Sequence, residues 1–322
     1  MELDDLLARV AWLYYIEDLT HQEIGDRVHL PRVKVTRLLK KAREEGVVEF
    51  RIVKPTAHLD LERQLRHTFG LSDALVVPAP LDPERLRESL GAAAAGYLQG
   101  VFHPRMVVGL GMGRTLAEIA RFIESQEQGD CIFAEMVGGA GTNDLGFDTY
   151  NVSWLFADRC GGTAEHVFSP VVVESSEARA TLLGDSRIAA ALERAAKSDL
   201  ALVGIGATGE GMVLQHLGYC DEEAVRDLRS RGAVGDIIGH FFDRDGRPVQ
   251  CGLEERLVAL SLDQLHQIPS VIAVAGGGRA KSLAMLGALC GQHIDVLITD
   301  MQSAQMVLEE HGAAGATREA NQ

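Results

Sequence analysis

No apolar run among the 322 residues approaches the ~20 needed to cross a bilayer as a helix, which excludes a helical membrane protein. A secretory signal is missing as well, because Met1 to Leu7 carry Glu2, Asp4 and Asp5 where such a signal would be basic and then apolar; the cytoplasm is the expected location. Cysteine is scarce and scattered. Cys131, Cys160, Cys220, Cys251 and Cys290 form no C-x-x-C and stand at no metal spacing from a histidine, so neither a disulfide framework nor a zinc site is expected. There is no internal repeat, and the one loose stretch expected is a short polar tail from Gly312 to Gln322. What is present is an ordinary composition, 46% hydrophobic and 24% charged, on a chain long enough for about two domains.

A net charge of -15 argues against nucleic acid when taken whole, since phosphates repel an anionic protein at long range. The distribution of the charge points the other way. Residues Met1 to Lys54 hold 10 basic and 10 acidic side chains, and the remainder holds 21 basic and 36 acidic. Between Pro31 and Arg43 there are six cations (Arg32, Lys34, Arg37, Lys40, Lys41, Arg43) and no acid, a local basic footprint.

The first segment, Asp4 to Ile16, places Leu6, Leu7, Val10, Leu13 and Tyr14 on one helical face. Thr20-His21-Gln22-Glu23 has the T-x-x-E form of a capping box, opening a short second helix to about Val28. His29-Leu30 then turn, Pro31 suits the first position of a third helix, and Gly46 suits its end. On that third helix Val35, Leu38, Leu39 and Ala42 share the inward side, while Val33, Thr36, Arg37 and Lys40 point outward. A helix-turn-helix with a cationic outer face lays its recognition helix in the major groove of DNA. Arg32, Val33, Thr36 and Arg37 are the candidates for base edges, through guanine and the thymine methyl. Lys34, Lys40 and Lys41 are candidates for phosphates, and Thr20 and Gln22 belong to the same DNA-binding set at the start of the second helix. The alternation of Val47 to Val53 predicts a strand or hairpin, the wing of a winged head.

The run Thr20-His21-Gln22-Glu23-Ile24-Gly25, with Val35-Thr36-Arg37-Leu38-Leu39-Lys40-Lys41-Ala42 after it, closely resembles the head of the SorC family of sugar-responsive regulators. Two departures from that pattern are His29, where many relatives have glycine, and Leu30-Pro31 in place of a Ser or Thr cap.

Beyond Lys54-Pro55, His58 to Phe69 reads as a linker helix. Short apolar runs then alternate with helical stretches: Leu75-Val77, Met106-Val108, Leu200-Val203, Val271-Val274 and Val296-Ile298. Continuous apolar strands of this kind belong to a parallel sheet covered on both faces, hence an α/β layered domain. Several of them end in glycines, where open α/β sheets bind ligands. Gly109-Leu110-Gly111-Met112-Gly113-Arg114-Thr115 offers bare amides to a phosphate, with Arg114 and Thr115 adding bonds; the turns through Gly206 and through Gly277-Gly278 repeat the arrangement. Lys281 is expected as a mobile point charge for an anion at a helix start. Asn143 and Asn151, amides beside glycines, are candidate sugar selectors.

These turns resemble the effector domain of the SorC family and, more distantly, the ribose-5-phosphate isomerase and glucosamine-6-phosphate deaminase group. The resemblance runs from about Val10 to Leu308, and Gly232 to Asp243 is its most specific segment. It implies that Asp236 holds the effector's hydroxyls; by itself Asp236 could equally cap a following helix. The whole resemblance implies an N-terminal (winged) helix-turn-helix over 1–54, a linker helix over 55–70, a Rossmann-like α/β effector domain of the sugar-phosphate isomerase/deaminase type over 71–310, and a tail over 311–322. The implied partners are operator DNA, a sugar phosphate or related carbohydrate, and further copies of the chain as a homodimer or homotetramer.

An enzyme on the same scaffold is the alternative. The deaminases follow their Gly-Ile-Gly turn with Asp-Gly-His, where this chain has Thr208-Gly209-Glu210, so the recognised proton-transfer set is missing and binding without turnover is expected. A dinucleotide site fits less well, because after Gly109 and Gly111 the third glycine, Gly113, comes one place early. No cofactor is therefore expected.

Overall fold

The computed structural model describes residues 3–17, 19–48, 57–124, 129–139, 149–209 and 212–320. The chain forms two compact units, Met1–Thr56 and Ala57–Gln322.

The first unit holds α1 (Leu3–Tyr15), α2 (His21–Val28) and α3 (Arg32–Glu44). Leu7, Val10 and Leu13 of α1 close on Ile24 of α2 and on Val35, Leu38, Leu39 and Ala42 of α3 in one buried cluster. Both halves of the capping box form: the Thr20 hydroxyl accepts from the Glu23 amide at 3.4 Å, and the Glu23 carboxylate accepts from the Thr20 amide at 2.8 Å. His29 takes the left-handed conformation (φ 55°) that glycine would adopt more easily, and the Leu30 amide bonds the Gly25 carbonyl at 2.8 Å. Gly25 is required for that turn, since a Cβ there would collide with the Leu30 carbonyl. Pro31 proves to be the cap residue just before α3 rather than its first helical residue, a shift of one position. Val47 and Val48 lie in a turn, and the rest of the expected wing, 49–53, falls outside the described residues.

The second unit runs, in chain order, α4 (Ala57–Phe69), β1 (Asp73–Val77), α5 (Pro83–Val101), β2 (Val107–Leu110), α6 (Arg114–Phe122), β3 (Ile132–Glu135), α7 (Thr149–Cys160), β4 (Thr163–Glu165), α8 (Ser176–Leu183), α9 (Ser186–Ala196), β5 (Leu200–Gly204), β6 (Gly206–Ala207), α10 (Val213–His216), α11 (Glu222–Ser230), β7 (Gly235–Ile237), β8 (His240–Phe242), α12 (Leu262–Leu265), β9 (Val271–Val274), α13 (Gly278–Cys290), β10 (Val296–Asp300) and α14 (Met301–Ala320). Seven strands make one parallel sheet in the order β1-β10-β9-β5-β2-β3-β4. One face is covered by α5, α6 and α7, whose Leu90, Leu98, Ile119 and Phe156 share a core with Phe133 and Ile298. The other is covered by α4, α9, α13 and α14, through Leu65, Leu192, Met285 and Val307. From β2 the chain winds outward to β3 and β4, and from β5 it winds the opposite way to β9 and β10, so the winding reverses between β2 and β5. An antiparallel sheet, β6-β7-β8, stands beside the main one.

The segment from Gly232 to Asp243 is thus a strand hairpin, and no helix follows Asp236 for it to cap. The tail expected to be loose instead continues α14 as far as Ala320. Among the described residues no helix is long and apolar enough to cross a membrane.

Two histidines are packed against backbone carbonyls. His293 shares a hydrogen bond with the Gly246 carbonyl at 2.8 Å, and His240 with that of Leu260 at 2.8 Å; burial above all depresses the pKa of both. A histidine whose folded value is depressed stabilises fully above its unfolded pKa of ~6.5, and that contribution is lost as pH falls from there toward the folded value. The melting temperature is therefore expected to fall between about pH 7.5 and about pH 5.5. NMR titration checks the cause: both rings should still be neutral at about pH 6.5, and rings half-protonated there would remove it.

Candidate functional site

The outer face of α3 presents Arg32, Val33, Lys34, Thr36, Arg37 and Lys40, all exposed, above the buried Val35, Leu38 and Leu39. Val33 is 63% exposed, so its side chain is open to a partner. The Thr36 hydroxyl lies 3.1 Å from His21 Nδ1 and donates to the Arg32 carbonyl at 3.2 Å, which ties the outer face to the start of α2. Thr20 and Gln22, both exposed at that same start, are already engaged within α2: Thr20 in its cap, Gln22 donating to Asp26 at 3.0 Å. Lys41 forms an ion pair with Glu45 at 3.4 Å.

In the second unit a cavity of about 510 Å³ opens at the carboxyl ends of β2, β5 and β9, beside the reversal of the winding. Open α/β sheets bind ligands at such a reversal because the two loops there diverge and leave a crevice. Two helices begin at its wall. Gly113 caps α6 with φ 139°, and Gly277 caps α13 with φ 100°, followed by Gly278 at φ 83°. Side chains tolerate these angles poorly, and the amides of each first turn lack partners within the helix. Arg114, Thr115, Lys281 and Arg87 add polar groups, and Met112, Leu86, Leu90 and Ile238 add apolar ones.

Asp236 enters from β7. Its cross-strand partner on β6 is Gly206, where a Cβ would collide with the Asp236 carboxylate, so that glycine makes room for the acid. The carboxylate accepts from the Gly239 amide at 3.2 Å. Burial raises the Asp236 pKa, opposed by the charge of Lys281 and by that hydrogen bond. Burial lowers the Lys281 pKa in turn, opposed by Asp236 and reinforced by Arg114. Lys281 is not the mobile point charge its position suggests, because its ammonium donates to the Ile205 carbonyl and is held over the pocket.

The cavity thus gathers Met112, Gly113, Arg114, Thr115, Gly206, Asp236, Gly277, Gly278 and Lys281 from four separate stretches of chain. Gly111 is not on its wall. It is buried, its amide donates to the Leu202 carbonyl at 2.9 Å, and a Cβ there would crowd Ile238, so its part is packing. Asn143 and Glu210 fall outside the described residues, and of Asn151 only the backbone, in α7, is described.

The comparisons with known proteins agree with this architecture. The family described as "Putative sugar-binding domain" matches residues 53–309. LsrR, a transcriptional regulator of Klebsiella pneumoniae, is 35% identical over 314 residues, covering 95% of this chain and 93% of that protein; LsrR of Escherichia coli K12 is 32% identical over 313 residues, with 95% of each covered. The full-length sorbitol operon regulator SorC of Klebsiella pneumoniae superposes with a TM-score of 0.73 at 26% identity, over 94% of this chain and 98% of that one. This chain belongs to the SorC family of transcriptional regulators. A structure from Vibrio fischeri described as "Putative Sugar-Binding Domain of Transcriptional Repressor", 29% identical with a TM-score of 0.72, covers 78% of this chain and 98% of that one.

Within this SorC-family domain, reasoning from the sequence overlooked two residues that line the pocket and one that lies behind its Gly277 loop. Arg87 and Gln302 reach it from helices whose sequence shows nothing beyond helical character. Asp300 is the third. It is 1% exposed at the end of β10, and its carboxylate accepts from the Gly277 amide at 3.0 Å and from the Ser303 hydroxyl at 2.6 Å. A strand-ending acid before a helix was the available signal.

Proposed function

We propose that this SorC-family regulator binds operator DNA through α3 and is controlled by a phosphorylated sugar, or a related carbohydrate, held in the pocket between β2, β5 and β9. The observation that carries the effector reading is the convergence of two glycine-capped helix starts with Lys281, Arg114 and Asp236 on one cavity of about 510 Å³. Helix starts attract anions, a carboxylate accepts from sugar hydroxyls, and the volume is that of a small-molecule site. Such a ligand moves the heads only if it prefers one arrangement of subunits over another, so the regulator acts as a homo-oligomer, dimer or tetramer, in the cytoplasm. The domain binds its ligand without turning it over, a reading supported by the regulator relatives and by the absence of the Asp-Gly-His sequence after Gly206.

The test is a mobility shift on the DNA upstream of its own operon, with and without a panel of sugar phosphates. Release or tightening by one compound that is recovered unchanged supports the reading, and consumption of that compound shows an enzyme instead. For the DNA face, Arg37→Ala is expected to cost about 1 to 3 kcal/mol at a single base position and to relax specificity there. Equal weakening on every sequence would make Arg37 a phosphate contact.

A further inference from the structure

The anion loop of the pocket is tied at two points to one helix. The Gly277 amide donates to Asp300 Oδ2 at 3.0 Å and to Ser303 Oγ at 3.1 Å, and the Ser303 amide donates to Asp300 Oδ1 at 2.9 Å. Asp300 and Ser303 flank the start of α14, and both are fully buried. A buried carboxylate that loses a donor carries a large desolvation cost, so the loop and the start of α14 have to move together. The second tie lies further along. Arg279, next after Gly278, donates to Glu310 Oε1 of α14 at 2.7 Å, while Arg244 donates to Glu310 Oε2 at 2.9 Å. The two ties are about ten residues apart, which is roughly 15 Å along a helix, so they set its direction as well as its position.

The opposite end of the relation is α4. Ala304 and Val307 of α14 share a core with Leu61 and Leu65 of α4, and the His311 ring meets Phe69 edge-on with centroids 4.9 Å apart. α4 begins at Ala57, where the second unit begins in the chain after the three-helix unit.

We infer that α14 is the arm that couples occupancy of the pocket to α4: an anion drawn to the α13 start shifts the Gly277–Arg279 loop, and Asp300, Ser303 and Glu310 carry that shift to the His311–Phe69 contact. The inference rests on the effector reading above and adds the route by which the site is regulated.

Coupling is reciprocal, so disturbing the far contact must change affinity in the pocket. The test measures binding of inorganic phosphate to the full chain by calorimetry, for wild type, His311→Ala and His311→Phe. His311 lines no part of the pocket. A change in phosphate affinity of threefold or more in His311→Ala, restored by the ring of His311→Phe, is expected, and Glu310→Gln should shift the affinity without His311 being touched. Wild-type affinity within experimental error in both His311→Ala and Glu310→Gln overturns the coupling while leaving the effector site intact. Wild-type protein with no phosphate affinity at all overturns an anion at the α13 start and the coupling drawn from it, while the panel of effectors above still decides the effector reading.

Discussion

Gly206→Ala is expected to weaken effector binding by about 1.5 to 3 kcal/mol, roughly 10- to 150-fold, while leaving the fold and the DNA affinity of the ligand-free protein unchanged. The reason is local. The added Cβ meets the end of the Asp236 side chain, not a strand backbone, so the carboxylate swings aside and the hairpin survives. Swinging aside takes the acid away from Lys281 and from the place where ligand hydroxyls would sit. Asp236→Asn should lose a comparable amount, since it removes the charge from the acceptor at the same position. Titration of the effector identified by the panel, followed by calorimetry on both variants, is the measurement. Wild-type affinity in Gly206→Ala, with circular dichroism unchanged, would show that Asp236 does not touch the ligand.

The second large effect concerns DNA. In a chain of net charge -15, the acid-free cationic stretch between Pro31 and Arg43 is the proposed source of attraction to phosphates. Replacing Lys34, Lys40 and Lys41 together by Ala is expected to weaken binding about equally on specific and unrelated sequences. If each meets one phosphate, the slope of log K against log salt becomes shallower by about 2.7 for every bound head, from ~0.9 per phosphate contact. Competition experiments between about 50 and 200 mM salt measure this. An unchanged slope would place the phosphate contacts elsewhere, and a loss confined to the operator would make these lysines readers of sequence.

The contrast between Lys281 and Arg37 shows where local reasoning reaches its end. Arg37 is placed by helical periodicity alone: once Val35, Leu38 and Leu39 turn inward, a residue two positions after Val35 has to face out. Lys281 is also placed on its helix by the glycines before it, yet its partner, the Ile205 carbonyl, lies 76 residues away. Nothing near Lys281 in the chain announces that bond. Asp236 is similar. Its neighbours are compatible with a helix cap, and only its pairing with Gly206 puts it in the middle of a strand over the pocket. The five strands with β-branched apolar runs are visible in advance, whereas the three-residue edge strand β4 is not, because Thr163 and Glu165 leave it no continuous apolar run; β3, with the short run Ile132-Phe133-Ala134, is not among the five either. The long α14 was hidden for a comparable reason. Its end is rich in Ala and Gly, and such a stretch shows no amphipathic pattern.

What composition and periodicity alone determine here is the division of the chain into a charge-balanced three-helix head and an acidic α/β domain, the cap at Thr20, the inner and outer faces of α3, and the glycines at the strand ends. All of these depend on interactions within a few residues, which local spacing records. The order of the strands, the meeting of four distant segments in one cavity, the trapping of Lys281 and the tie from Gly277 through Asp300 to α14 come from the tertiary structure. They depend on which strand lies beside which, and in a parallel sheet neighbours are joined through long crossovers, so their adjacency has no local signature.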